Sequence, residues 1–81
     1  MYLLSENHLV FVPPDLSGLI AFDKCDYSTI FIQSDLRQYP QIVSSSGSLN
    51  CDFFGSVQES ETLMHDLKRE LVDKRIMLES D

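Results

Sequence analysis

Tryptophan is missing from this chain, and basic residues are scarce: six Lys and Arg stand against thirteen Asp and Glu, for a net charge of −7. Duplex binding depends on basic side chains that neutralise phosphates, so the deficit argues against nucleic acid as a partner, and against an anionic membrane for the same reason. Cysteine is nearly absent too. Cys25 and Cys51 are too few to frame a fold with disulfides, which points to a reducing, cytoplasmic setting. The longest apolar run, Leu9 to Val12, is far too short to span a bilayer. The opening residues Met1-Tyr2-Leu3-Leu4-Ser5-Glu6 lack the basic stretch and long apolar core of a signal peptide.

Catalytic and metal-binding patterns are equally absent. Metal sites gather His, Cys or carboxylates in short paired spacings, whereas Cys25, Cys51, His8 and His65 are each isolated. A nucleophilic thiol needs a partner that lowers its pKa, and Cys25, set between Lys24 and Asp26, has no specific activator. No P-loop, nucleophile elbow or dinucleotide fingerprint occurs. Asp23 and Asp26 flank a short loop, where acids commonly serve turn geometry. The sequence therefore predicts no enzyme activity, no cofactor and no metal.

What is present suits one small folded domain over residues 1–81. The chain is 43% hydrophobic and 10% aromatic, as in a globule rather than a disordered chain, and this length buries about 60–65% of the unfolded surface. Residues 8–12 form an aromatic and β-branched run stopped by Pro13-Pro14. Further strands are expected at 18–22 and 27–33, joined by Asp15-Leu16-Ser17-Gly18 and by a hairpin loop at Asp23-Lys24-Cys25-Asp26. Short connections favour an antiparallel meander. Asp35 with Gln38 fits a capping box and predicts a helix over about 35–45, interrupted or started by Pro40; Ser44 to Ser48 reads as a loop. Ser56 with Glu59 makes a second capping box, opening a helix over about 57–76. On it Leu63, Met64, Leu67 and Leu71 form one stripe, and Leu63, Leu67 and Leu71 are expected to pack on Ile20, Phe22 and one face of the third strand.

The third strand, Tyr27-Ser28-Thr29-Ile30-Phe31-Ile32-Gln33, contains no Pro, Lys or Glu, residues that discourage edge pairing. An open edge can take a peptide as an added strand, and the same edge could pair two copies into a homodimer. The candidate peptide-binding residues are Tyr27, Thr29, Ile30, Phe31, Ile32 and Gln33 on the strand. Met64, Lys68, Val72 and Arg75 would supply a second wall from the helix, with Lys68 and Arg75 meeting acids on the peptide.

This order of elements, three strands and then two or three helices, resembles the PqqD-like fold. That α+β, winged-helix-like domain recognises leader peptides of ribosomally made, modified peptides. More narrowly, Ile20-Ala21-Phe22-Asp23 through Tyr27-Ser28-Thr29-Ile30, followed by Arg37-Gln38-Tyr39-Pro40-Gln41-Ile42-Val43, is similar to the N-terminal part of lasso-peptide maturation B proteins. There an aromatic–Pro–Gln–aliphatic run also follows the third strand. Leu49 to Gly55 departs from the family's middle helix. The resemblance implies that a precursor leader peptide lies along the third strand and is presented to a separate leader protease of the same pathway. The alternative is a small acidic inhibitor or adaptor acting by charge mimicry or by protein–protein binding. It ranks lower because the acids are spread along the chain: five against two bases in residues 1–40, eight against four in the rest.

Overall fold

The computed structural model describes residues 1–80 as an α+β chain with two antiparallel sheets and, among the described residues, one α-helix. Asp81, the last residue of the expected domain, lies outside the described residues. The chain divides into two compact units, one of Glu6–Asn50 and one of Met1–Ser5 with the segment from Cys51 onward. Each is described by itself.

In the Glu6–Asn50 unit, strands β2 (His8–Phe11), β3 (Gly18–Asp23) and β4 (Thr29–Gln33) form the expected meander, with β3 in the centre. β1 (Tyr2–Leu4) belongs to the other unit. The β3–β4 register pairs Leu19 with Ile32, Ile20 with Phe31 and Ala21 with Ile30, while β2 pairs Leu9 with Phe22 and Val10 with Ala21. Side chains alternate across a sheet, so one face carries Val10, Leu19, Ala21 and Ile32, all buried. Leu9, Phe11, Ile20, Phe22 and Phe31 share the opposite face. This corrects the expected core, because Ile20 and Phe22 sit on the half-exposed face and Leu19 and Ala21 on the buried one. Gly18 is required where β3 meets β4: a Cβ there would collide with the Ile32 carbonyl oxygen and lie 3.0 Å from the Phe31 ring.

The β3–β4 loop is closed by Asp23 N–H donating to the Ser28 carbonyl (2.8 Å) and Tyr27 N–H donating to the Asp23 carbonyl (2.8 Å). Tyr27 has φ 61°, so the strand starts at Thr29 rather than at residue 27. The helix expected over 35–45 does not form. The Asp35 carboxylate instead accepts the Arg37 backbone N–H (3.2 Å) and its guanidinium (2.9 Å), a local bond that competes with helix formation. What remains is a 3₁₀ turn at Pro40–Ile42 with proline at its start. The serine-rich segment is a loop, as expected, with Gly47 at φ 83° and Val43 bridging Leu49.

In the other unit, β1 (Tyr2–Leu4) pairs antiparallel with β5 (Met77–Glu79). Neither strand is among those expected from the sequence. A 3₁₀ helix covers Cys51–Ser56, and helix α1 runs Thr62–Asp73, shorter than the expected 57–76. The second capping box is not made, because the Ser56 hydroxyl turns back to donate to the Phe53 carbonyl (2.9 Å). Glu61 precedes the helix, its carboxylate accepting the Gln58 N–H (3.0 Å). At the other end Arg75, at φ 60°, donates its N–H to Val72 O, and Ile76 donates to Leu71 O, both at 3.0 Å. That pair of bonds is a Schellman stop. It turns the chain out of the helix and into β5, so Ile76 and Leu78 do not continue α1. Met64, Leu67 and Leu71 are buried, but Leu63 is 44% exposed, which removes it from the expected core stripe. Each buried member contributes about 1.5–3 kcal/mol of burial free energy. No helix of the described residues is long and apolar enough to cross a membrane.

Candidate functional site

Backbone phase decides which residues of β4 offer hydrogen bonds to a partner. Antiparallel strands alternate between residue pairs that exchange hydrogen bonds and pairs that do not. Asp23 N–H bonds Ser28 O at one end, and Ser34 N–H bonds Ser17 O (3.1 Å) at the other. With the observed register, the inward-bonding residues are therefore Ser28, Ile30, Ile32 and Ser34. Thr29, Phe31 and Gln33 point their N–H and C=O groups away from β3. No strand covers that side within the sheet, and Thr29, Phe31 and Gln33 are all exposed.

The other edge of the meander differs. Lys24 N–H donates to Asn7 O (2.7 Å) and Val12 N–H donates to Gly47 O (3.1 Å). The same alternation then turns His8, Val10 and Val12 outward on β2. Val12 is bonded by the Gly47 loop, and Val10 and Val12 are buried. The open edge belongs to β4.

Beside it lies an uncovered apolar face. Leu9 is 56%, Phe11 51% and Phe31 54% exposed, and Tyr27 reaches 78%. The Tyr27 ring tilts toward Phe22, with centroids 6.4 Å apart. Left-handed backbone costs a non-glycine residue roughly 1–2 kcal/mol, and the position suits Gly or Asn better than a bulky aromatic. An exposed ring kept in such a conformation is the kind of local strain that gathers at functional sites. Asp26 sits in the same loop, held below the usual carboxylate range by hydrogen bonds from Ser28.

The far end of β4 opens onto a cavity of about 300 Å³ lined by residues 15–17, Gln33, Ser34, Asp35 and Arg37. The Arg37 guanidinium and Asp35 carboxylate meet at 2.9 Å, which pushes the Asp35 pKa down to about 2 and raises that of Arg37. Asp15 accepts only the Ser17 N–H (3.1 Å) and has no cationic partner among the described residues. Ser34 is 8% exposed, and its buried hydroxyl has no hydrogen-bond partner among the described residues.

Of the expected site residues, Thr29, Ile30, Phe31 and Gln33 are exposed on β4 and Tyr27 on the loop before it, while Ile32 is buried in the core face. The helix residues belong to the other unit. Met64 is fully buried and so presents no surface for contact. Lys68 and Val72 line a cavity of about 340 Å³ with Tyr2, His65 and Arg69, and the Lys68 ammonium lies 5.5 Å from the Tyr2 ring centroid. That distance suits a cation–π contact. Arg75 is the exposed residue of the helix stop. Sequence reasoning missed Leu9 and Phe11, although their alternation with Val10 and Val12 was visible. It also missed Asp15, which the fold brings to the same cavity as Gln33, and Ser34, the next residue in the chain. Comparison with family models, with curated proteins and with solved structures finds no match for this chain.

Proposed function

We propose that this protein binds an extended peptide as an added antiparallel strand on β4, without catalysing a reaction itself. The observation that carries this reading is the free edge: Thr29, Phe31 and Gln33 turn backbone groups outward that are unpaired among the described residues, beside exposed aromatic rings. Main-chain bonds of this kind give affinity to any extended segment, and pockets for alternate side chains give specificity. Tyr27 and Phe31 supply apolar surface on one face, and Ile30 meets the partner on the other. On the finer reading the fold is PqqD-like and winged-helix-like. The peptide is then a precursor leader, presented in the cytoplasm to a separate leader protease in lasso-peptide biosynthesis. The order of the three strands supports that reading, whereas the single α-helix and the β1–β5 pair depart from it.

The test is retention of a phage-displayed library of random dodecapeptides by the wild-type protein and by Gln33→Pro. Proline at this position deletes one outward N–H and leaves the β3–β4 bonds in place. The wild type should retain peptides, and the variant, folded by thermal melting, should bind them about two- to tenfold more weakly, the effect of one lost hydrogen bond. Equal retention by both proteins would overturn the proposal.

A further inference from the structure

Strand addition at β4 occupies an edge and leaves the exposed face of the sheet uncovered. From that face we infer that two copies of this chain pack sheet against sheet, forming a dimer that keeps both β4 edges free. The register builds the contact surface. Leu9 stands beside Phe22 and Phe22 beside Thr29, while Phe11 stands beside Ile20 and Ile20 beside Phe31. These residues make two rows across three strands, and all but Thr29 are apolar. The Tyr27 ring, tilted toward Phe22, borders the first row. An aromatic side chain carries about 150–250 Å² of surface. With Leu9, Phe11 and Phe31 half-exposed and Tyr27 mostly so, the face offers roughly 500 Å², whereas soluble monomers rarely expose more than a few hundred in one apolar patch. The opposite face, with Val10, Leu19, Ala21 and Ile32, is already buried. A sheet that is apolar on both faces calls for a layer against each.

The absence of charge on this face selects its occupant. Asp23 is the only Asp, Glu, Lys or Arg in the three strands, and it pairs with His8 on the opposite face at 3.7 Å. A basic segment would find no strand carboxylate to meet there, and an acidic one no cation. The complement is another uncharged apolar sheet face, which a second copy supplies. Two such faces bury roughly 1,000 Å² together, the lower bound for a specific interface, which suits a reversible micromolar dimer. Stacked sheets lie about 10 Å apart with their strands within about 30° of one another. Because β3 is the central strand, a two-fold axis running along it lays β2 of one copy over β4 of the other. Phe11 then meets Phe31 of the second copy, and the contact is made twice by symmetry. The charge of −7 on each copy opposes this association, and salt screens that repulsion. Added salt therefore tightens the dimer, the reverse of its effect on a charge-driven complex.

The experiment is sedimentation equilibrium of the whole chain from low to high micromolar concentration, at low salt and at about 1 M, where charges are screened within about 3 Å. The wild type should show a reversible monomer–dimer equilibrium that high salt tightens several-fold. Phe11→Lys and Leu9→Lys, both on β2 and far from the β4 edge, should be folded by thermal melting and monomeric throughout. Gln33→Pro alters the edge alone and should remain a dimer. A wild type that stays monomeric at high micromolar concentration in both salts overturns the dimer. It leaves strand addition standing, because peptide retention is measured separately. A dimer kept by both lysine variants, or dissociated by salt, overturns the proposal as well. A dimer lost in Gln33→Pro does the same, since it gives the contact to the edge.

Discussion

Tyr27 shows how a single residue can work against the stability of its own loop. Its left-handed backbone suits glycine, and its ring lies mostly in solvent. Replacing it by glycine should leave stability unchanged or raise it by up to about 1 kcal/mol, as read from the urea midpoint, while weakening retention of peptides. A large drop in stability would instead make the ring a structural prop against Phe22. Asp35 offers a second test at this scale. Arg37 holds its folded pKa at about 2, below the unfolded value of about 3.9. The pair's contribution to stability is thus fully present above the unfolded pKa, and it fades as pH falls through the folded value. An NMR titration of the Asp35 carboxyl should give a midpoint near 2, rising toward the ordinary value in Arg37→Ala. A midpoint indifferent to Arg37 would contradict the assigned cause.

Among the elements, those with a clear period were legible in the sequence and those built on distant pairing were not. The alternation of Leu9, Val10, Phe11 and Val12 located β2, and the absence of Pro, Lys and Glu in residues 27–33 located the open edge. Periodicity also found Met64, Leu67 and Leu71, but it placed Leu63 in the stripe although that side chain is half-exposed. Leu67→Ala should cost on the order of 2–5 kcal/mol, whereas Leu63→Ala should stay within about 1 kcal/mol; thermal melting of the two variants separates them. Both capping boxes failed for a local reason. Asp35 bonds Arg37 and Ser56 bonds Phe53, so the oxygens expected to start helices are spent elsewhere. β1 and β5 are three residues each and lie at opposite ends of the sequence, which leaves no local pattern to find. Backbone phase on β4 was hidden for a related reason: the loop sets the register, and no side chain signals which amides face outward.

At the scale of the whole molecule, the three-stranded sheet has one protected and one open edge. The Gly47 loop bonds Val12 on the β2 side, and among the described residues no backbone bond of this kind reaches the outer side of β4. Charge shapes what reaches it, since a −7 chain attracts basic segments through a field that salt screens over about 10 Å at 0.1 M. Amide hydrogen exchange resolved residue by residue tests the open edge most directly. In the free protein Ile30 and Ile32 should be protected, while Thr29, Phe31 and Gln33 exchange nearly as fast as an unstructured chain. Adding a dodecapeptide retained from the library should slow those same three amides and leave the β2 edge unchanged. If Thr29, Phe31 and Gln33 are already slow in the free protein, or stay fast when the peptide is bound, β4 is not the edge that receives it.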